Sequence, residues 1–159
     1  MLKTRQTEEF WQAYTRHASL AGADYVVVAP GDNPDMATEL AALVVSGVKR
    51  ATASLVRDFS SPELPRVGDF VVIVDGIGNP QCIYRTTEIE IKPLIAADER
   101  FAWDEGEGDR TLDWWLAAHR RYFGRQAAKI GFKMHDNIET VFERFEVVWP
   151  PPLLHSDDR

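Results

Sequence analysis

The 159 residues carry 18 Lys and Arg against 25 Asp and Glu, a formal net charge of −7, with 45% hydrophobic residues and five Trp, eight Phe and four Tyr. This is the length and composition of one globular domain with an aromatic-rich core. The acidic balance argues against a protein that grips long duplexes through their phosphates. The lone Cys82 excludes an internal disulfide and a cysteine-built zinc site, and no apolar run is long enough to span a bilayer.

Residues 1–9 are charged and lack an apolar h-region, so no secretory signal is expected and a reducing cytoplasm is the expected location. Residues 7–20 read as an amphipathic helix. Phe10, Trp11, Tyr14 and His17 recur at three- and four-residue spacing, Thr7 stands as the cap, and Glu8 and Glu9 fill the first turn. A short strand follows over 25–29. Asp32-Asn33-Pro34 opens a second helix, with Met36, Leu40, Leu43 and Val44 as its inner stripe and Gly47 as its stop.

Beyond Gly47 the period changes to two. A strand is expected over 50–56, a Pro-rich loop over 60–68, and two strands over 69–75 and 81–91 joined at Gly76-Ile77-Gly78-Asn79-Pro80. A short helix is expected over 96–103 and a long one over 111–130, bent or interrupted near Gly124. A closing strand spans 138–149, with Val141, Phe145 and Val147 facing inward. Pro150-Pro151-Pro152 ends the fold, and 150–159 is expected to be a flexible tail. Strands separated by helical insertions predict an α+β barrel of mostly antiparallel strands flanked by helices, not a doubly wound sheet. Residues 1–31 would pack on a domain spanning 32–149.

Several side chains carry potential chemistry. Lys49 sits just past a helix end, where it can pair with a phosphate, act as a base if burial lowers its pKa, or simply complement the helix C-terminus. Thr52 and Ser54 share one face of the next strand; their hydroxyls can bind a phosphate, orient a water or supply a nucleophile, or they are there because Thr suits strands. Lys49 and Thr52 would point to opposite sides of a regular strand, so their cooperation requires a break before Arg50. Glu105 and Glu107 lie in the Gly-rich acidic loop 104–109, where a carboxylate can turn into a cleft or complement the next helix. Residues 119–134 hold Arg120, Arg121, Arg125, Lys129 and Lys133 and no acid. Arg121, Arg125 and Lys129 recur every four residues, either a track for a short single strand or a solvated face.

No metal or cofactor is implied. The carboxylates follow no EF-hand pattern, and His17, His119, His135 and His155 show no zinc spacing. Gly47-Val48-Lys49 lacks the order of a P-loop, Gly76-Ile77-Gly78 lacks a third glycine and a following helix, and there is no G-x-S-x-G elbow.

An ordered set of blocks resembles the ASCH domain family, over residues 32–149. Residues 46–54, Ser-Gly-Val-Lys-Arg-Ala-Thr-Ala-Ser, are similar to its G-x-K-x-x-T signature at a helix-to-strand junction. Pro65-Arg66-Val67-Gly68-Asp69, Thr86-Thr87-Glu88-Ile89-Glu90, the run 105–112 followed by Trp115 and His119, and Arg144-Phe145-Glu146-Val147-Val148 match further blocks in order. The resemblance implies a PUA-like barrel with a cleft beside that junction, and an association with RNA. Some members resemble amidohydrolases of N4-acetylcytidine, and ribonuclease activity is also attributed to the group. In the hydrolytic members a glutamate joins the lysine and threonine; Glu107 is the better match and Glu105 the alternative.

The leading expectation is recognition of RNA or an RNA-derived nucleoside beside this motif, with metal-independent ribonuclease activity as one form. Its catalytic set would be Lys49, Thr52 and Glu107, and its ligand contacts Arg50, Ser54, Glu105, Arg121, Arg125 and Lys129. The alternatives are an amidohydrolase acting on N4-acetylcytidine and a non-catalytic nucleotide-binding regulatory domain.

Overall fold

The computed structural model describes residues 2–151, so the tail expected over 150–159 lies outside the described residues from 152 onward. The strands follow the hydrogen-bonded order β1-β3-β4-β5-β2, where β1 is Val26–Val28, β2 Ala51–Leu55, β3 Phe70–Val74, β4 Pro80–Pro93 and β5 Glu139–Trp149. Four helices complete the set: α1 Arg5–His17, α2 Pro34–Val45, α3 Glu99–Glu105 and α4 Leu112–Ile130. The α+β class is as the sequence predicts. None of the described helices is long and apolar enough to cross a membrane.

The chain forms two compact units. The first takes the described parts of Met1–Val45, Asp69–Arg85 and Glu146–Arg159. Its first helix starts earlier than the sequence reading. Thr4, not Thr7, is the cap: its hydroxyl accepts from Thr7 N at 3.1 Å while the Thr7 hydroxyl accepts from Thr4 N at 2.8 Å. That sets Trp11 and Tyr14 on the inner face, with the Trp11 ring stacked on Tyr25 at 4.9 Å. Strand β1 pairs in parallel with β3, and β3 pairs antiparallel with β4 through a register shift at Ile73/Val74. The Asp75 carboxylate closes the connection by accepting from Ile77 N at 3.0 Å and Asn79 N at 2.9 Å.

The second unit is Ser46–Gly68 with Thr86–Phe145. Its core gathers Ala51, Leu55, Leu94, Phe101, Trp115, Phe123 and Phe142. The Phe101 ring meets Phe142 at 4.9 Å and Trp115 at 5.8 Å, both edge-to-face. Strand β2 runs antiparallel to β5 from Ala51↔Arg144 to Leu55↔Thr140. This register puts Ala51, Ala53 and Leu55 on the aromatic side with Phe142, and Thr52 and Ser54 on the other side with Val141 and Glu143.

Val141 and Phe145 of β5 are buried as expected, and two details go beyond the sequence reading. Strand β5 does not alternate: Thr140, Val141, Phe142 and Glu143 are all buried. Phe142 joins the aromatic core, while Glu143 on the opposite face accepts the Thr86 hydroxyl at 2.6 Å. Helix α4 runs unbroken through Gly124, because one glycine weakens a helix by only about 1 kcal/mol and the buried Trp115, Phe123 and Ala127 hold this one down.

The ring cluster makes Phe142→Ala expensive, about 3–5 kcal/mol by urea unfolding, whereas Ile77→Ala at an exposed turn should stay within about 0.5 kcal/mol. Equal effects of the two substitutions would contradict this assignment of the core.

Candidate functional site

Gly47 is in the left-handed region at φ +83°, and regular pairing resumes only at Ala51. The intervening main chain is pinned on both sides: Arg50 N donates to Asp104 O at 2.7 Å, and Arg50 O accepts from Phe145 N at 3.1 Å. The strand is therefore broken before Ala51, and Lys49 turns inward to only 3% exposure.

Its ammonium is fully engaged. Lys49 Nζ donates to Glu105 Oε2 at 2.6 Å, to Glu107 Oε2 at 2.8 Å and to Ala51 O at 2.8 Å, which uses all three of its protons.

The two carboxylates come from one tight turn. Asp98 caps α3 by accepting from Phe101 N at 2.8 Å, which sets Phe101, Ala102 and Glu105 on the buried face of that helix. Gly106 ends the helix in the left-handed conformation at φ +73°, and a Cβ there would collide with the Val48 carbonyl, so only glycine lets the turn pass so close to Lys49. Arg110 holds the turn from its far end. Its own backbone is left-handed at φ 66°, and its guanidinium donates to Trp103 O at 2.7 and 2.9 Å while lying 3.7 Å above the Trp103 ring. Between these anchors Glu107 reaches Lys49 with its side chain still 21% exposed, against 1% for Glu105.

The charges in this cluster decide its chemistry. Burial pulls the Lys49 pKa down, but the Glu105 and Glu107 carboxylates outweigh it and the net shift is upward. The sequence reading allowed Lys49 to become a base if burial lowered its pKa; the paired carboxylates reverse that sign and keep the ammonium protonated. Glu105 moves the other way. Burial pushes it up, yet Lys49 and then His119 hold it well below the ordinary carboxylate range. Glu107 is raised, by burial first and by the neighbouring Glu105 charge, against the pull of Lys49. One buried ammonium therefore holds two carboxyls whose proton affinities are driven apart.

The other expected residues are placed less centrally. The Arg50 side chain is 53% exposed and pairs with Asp104 at 2.9 Å, where Arg144 also binds at 3.1 Å. Thr52 and Ser54 are half-buried on β2, Thr52 opposite Glu143, and the Lys49 hydrogen bonds go to Ala51, Glu105 and Glu107 and not to these hydroxyls. Arg121, Arg125 and Lys129 are exposed on α4, on the face turned away from buried Trp115, Phe123 and Ala127. Tyr122 packs against the aromatic core. The residue missing from the expected set is His119, whose Nε2 lies 3.3 Å from Glu105 Oε1. The signal was present in the sequence, since His119 follows Trp115 by four residues on the same stripe.

Among the described residues, no group of three His, Cys, Asp or Glu side chains is arranged to hold a metal ion. The sequence matches the family model of the ASCH domain over residues 26–149. It is 30% identical to an ASCH domain from Lactobacillus crispatus JV V101 whose crystal structure superposes with a TM-score of 0.83, covering 91% of this chain and 95% of that one. A crystal structure of a protein from Enterococcus faecalis V583 is 35% identical, with a TM-score of 0.81 and coverage of 90% and 88%. No curated protein matches the sequence.

Removing the ammonium while leaving Glu105 buried should be strongly destabilising: Lys49→Met is expected to cost about 3–5 kcal/mol, and adding Glu105→Gln should recover part of that loss. Because the Glu105 pKa is lowered in the fold, its stabilisation is complete above the ordinary value of 4.5 and is lost as pH falls through the folded value. Melting temperatures of the unaltered protein and Glu105→Gln should therefore differ most above pH 4.5 and converge in acid. A constant difference across that range would contradict the assignment.

Proposed function

This chain belongs to the ASCH domain family, whose fold is PUA-like, and on that premise we propose that it hydrolyses the acyl amide of a small acylated nucleoside of the N4-acetylcytidine type. The observation that carries this reading is the pair of carboxyls on Lys49 with proton affinities driven apart, one sealed and one at the edge of the cluster. An ionised carboxylate with a raised pKa is a stronger base than an ordinary one, and once protonated it keeps its proton to higher pH than an ordinary carboxyl.

In this scheme Glu107 takes a proton from a water as the water oxygen bonds to the acyl carbon. The same proton passes to the exocyclic nitrogen as the C–N bond breaks, and the carboxylic acid and the free nucleoside leave. Lys49 keeps its proton throughout. Its work is electrostatic: it fixes both carboxylates and prevents Glu105 from competing for the proton. Thr52 takes the water-orienting role. No cofactor enters.

The charge balance favours this reading over ribonuclease activity. Lys49 is shared by two carboxylates, Arg50 is committed to Asp104, and the whole chain carries a net charge of −7, so a phosphodiester would meet negative charge at the cluster. A neutral nucleoside would not.

The reading is tested by a chromatographic time course of N4-acetylcytidine, with chelator present. The unaltered protein should release cytidine, and Glu107→Gln should lower the rate by about 10²–10⁴-fold with its melting temperature preserved. The rate should fall as pH drops through the raised Glu107 value, above the ordinary 4.5, because the base form is lost. Absence of release by the unaltered protein ends the deacylase reading. Salt-sensitive binding and cleavage of short RNA, lost in Glu107→Gln, would replace it with the ribonuclease.

A further inference from the structure

The role of His119 is not accounted for by the scheme above. It lies on α4, four residues after Trp115, with its side chain 11% exposed. Its ring stacks on the Trp115 indole at 3.9 Å and 19°, and meets Phe123 edge-on at 5.6 Å, so the imidazole plane is fixed by two buried aromatics of its own helix. Nδ1 lies 2.9 Å from Trp115 O, and a carbonyl oxygen only accepts, so Nδ1 carries a proton. The other nitrogen therefore faces Glu105 Oε1 either as a bare lone pair or, when the ring is charged, as a second N–H. The first arrangement sets a lone pair against a carboxylate, and the second is an ion pair at 3.3 Å.

Glu105 needs this neighbour. Its Oε2 is taken by Lys49, but Oε1 is buried and accepts no aligned hydrogen bond among the described residues. His119 is thus the polar group that compensates Oε1, across the carboxyl from Lys49. The charged groups acting on Glu105 are Lys49, His119 and Glu107, and those acting on Glu107 are Lys49 and Glu105.

We propose that His119 is a positioning residue: as the imidazolium partner of Glu105 Oε1 it keeps that carboxylate ionised and in place, so that Glu107 alone carries the exchangeable proton of the Lys49 cluster. A chain of four groups results, His119–Glu105–Lys49–Glu107, with alternating charge up to its last member. Without the first, Glu105 is held by one cation instead of two, and the two carboxyls compete for the proton on more equal terms. The inference rests on the reading of Glu107 as the proton-transfer group, but its consequence is measurable without any substrate.

The test is a carbon-13 NMR titration of the glutamate side-chain carboxyls in the full chain, unaltered and as His119→Gln and His119→Phe. The phenylalanine removes both charge and donor. The glutamine retains an amide donor and similar reach, which guards against loss of the fold. In His119→Phe the Glu105 titration should rise and the Glu107 titration should fall, closing the gap between them by about one pH unit or more, with His119→Gln in between. If melting temperatures fall while the two titrations stay where they were, His119 is only a packing residue and the proposal is overturned. Where turnover of N4-acetylcytidine is observed, the acid limb of its rate profile should move down with Glu107. Absence of turnover in every variant defeats the deacylase reading alone and leaves the titrations to decide the role of His119.

Discussion

The Lys49–Glu105 contact, 2.6 Å long with both side chains sealed from solvent, is the constraint around which the second unit is organised. Removing two opposite charges from water is costly, and a well-packed apolar pair of similar volume would serve stability as well or better. A charged pair at such a position makes more sense as something held for its electrostatic effect than as a stability device. What it produces is an asymmetry. The same ammonium binds Glu107, so two carboxyls share one cation, and the more buried of them keeps its charge while the more exposed one is pushed towards protonation. A lone glutamate on a surface loop would not be poised in this way.

The backbone makes that arrangement possible through a few local features. Asp98 starts α3 at the residue that places Glu105 on its inner face, and Gly106 lets the chain turn against the Val48 carbonyl where any side chain would collide. Arg110 then binds the Trp103 carbonyl from the other end of the same turn. On the opposite side, Arg50 is hydrogen-bonded through its main chain to Asp104 and Phe145, which holds Lys49 out of the β2 ladder. Each device is short-range, and together they bring two carboxylates from a distant stretch of sequence to within 3 Å of the Lys49 nitrogen.

Much of this was legible in the sequence because it is written in local patterns. The helix stripes, the turn residues after β3 and the order of motif blocks located nearly every element, and the requirement for a break before Arg50 followed from strand parity alone. What escaped was set by tertiary contacts. The α1 cap moved to Thr4 because Thr7 serves as the reciprocal member of a capping box and is buried. The burial of Glu143 beside Phe142 reflects Thr86, a partner 57 residues away. The protonation of Lys49 could not be read from its position, since burial and carboxylate pairing shift a lysine in opposite directions and only their distances decide the outcome. Nor did the loop sequence show that Glu105 and Glu107 both bind the lysine. Arg121, Arg125 and Lys129 form an exposed face of α4, as their four-residue spacing implied.

The central claim is that Lys49 is a permanently charged clamp and not a base, and the most direct measurement is the nitrogen-15 NMR signal of its side chain followed across pH. The account predicts an ammonium that remains protonated beyond the ordinary lysine value of 10.5, with slowly exchanging protons correlated to the Glu105 and Glu107 carboxyls. A Lys49 amine that loses its proton below that value would contradict it and return the base role to the lysine.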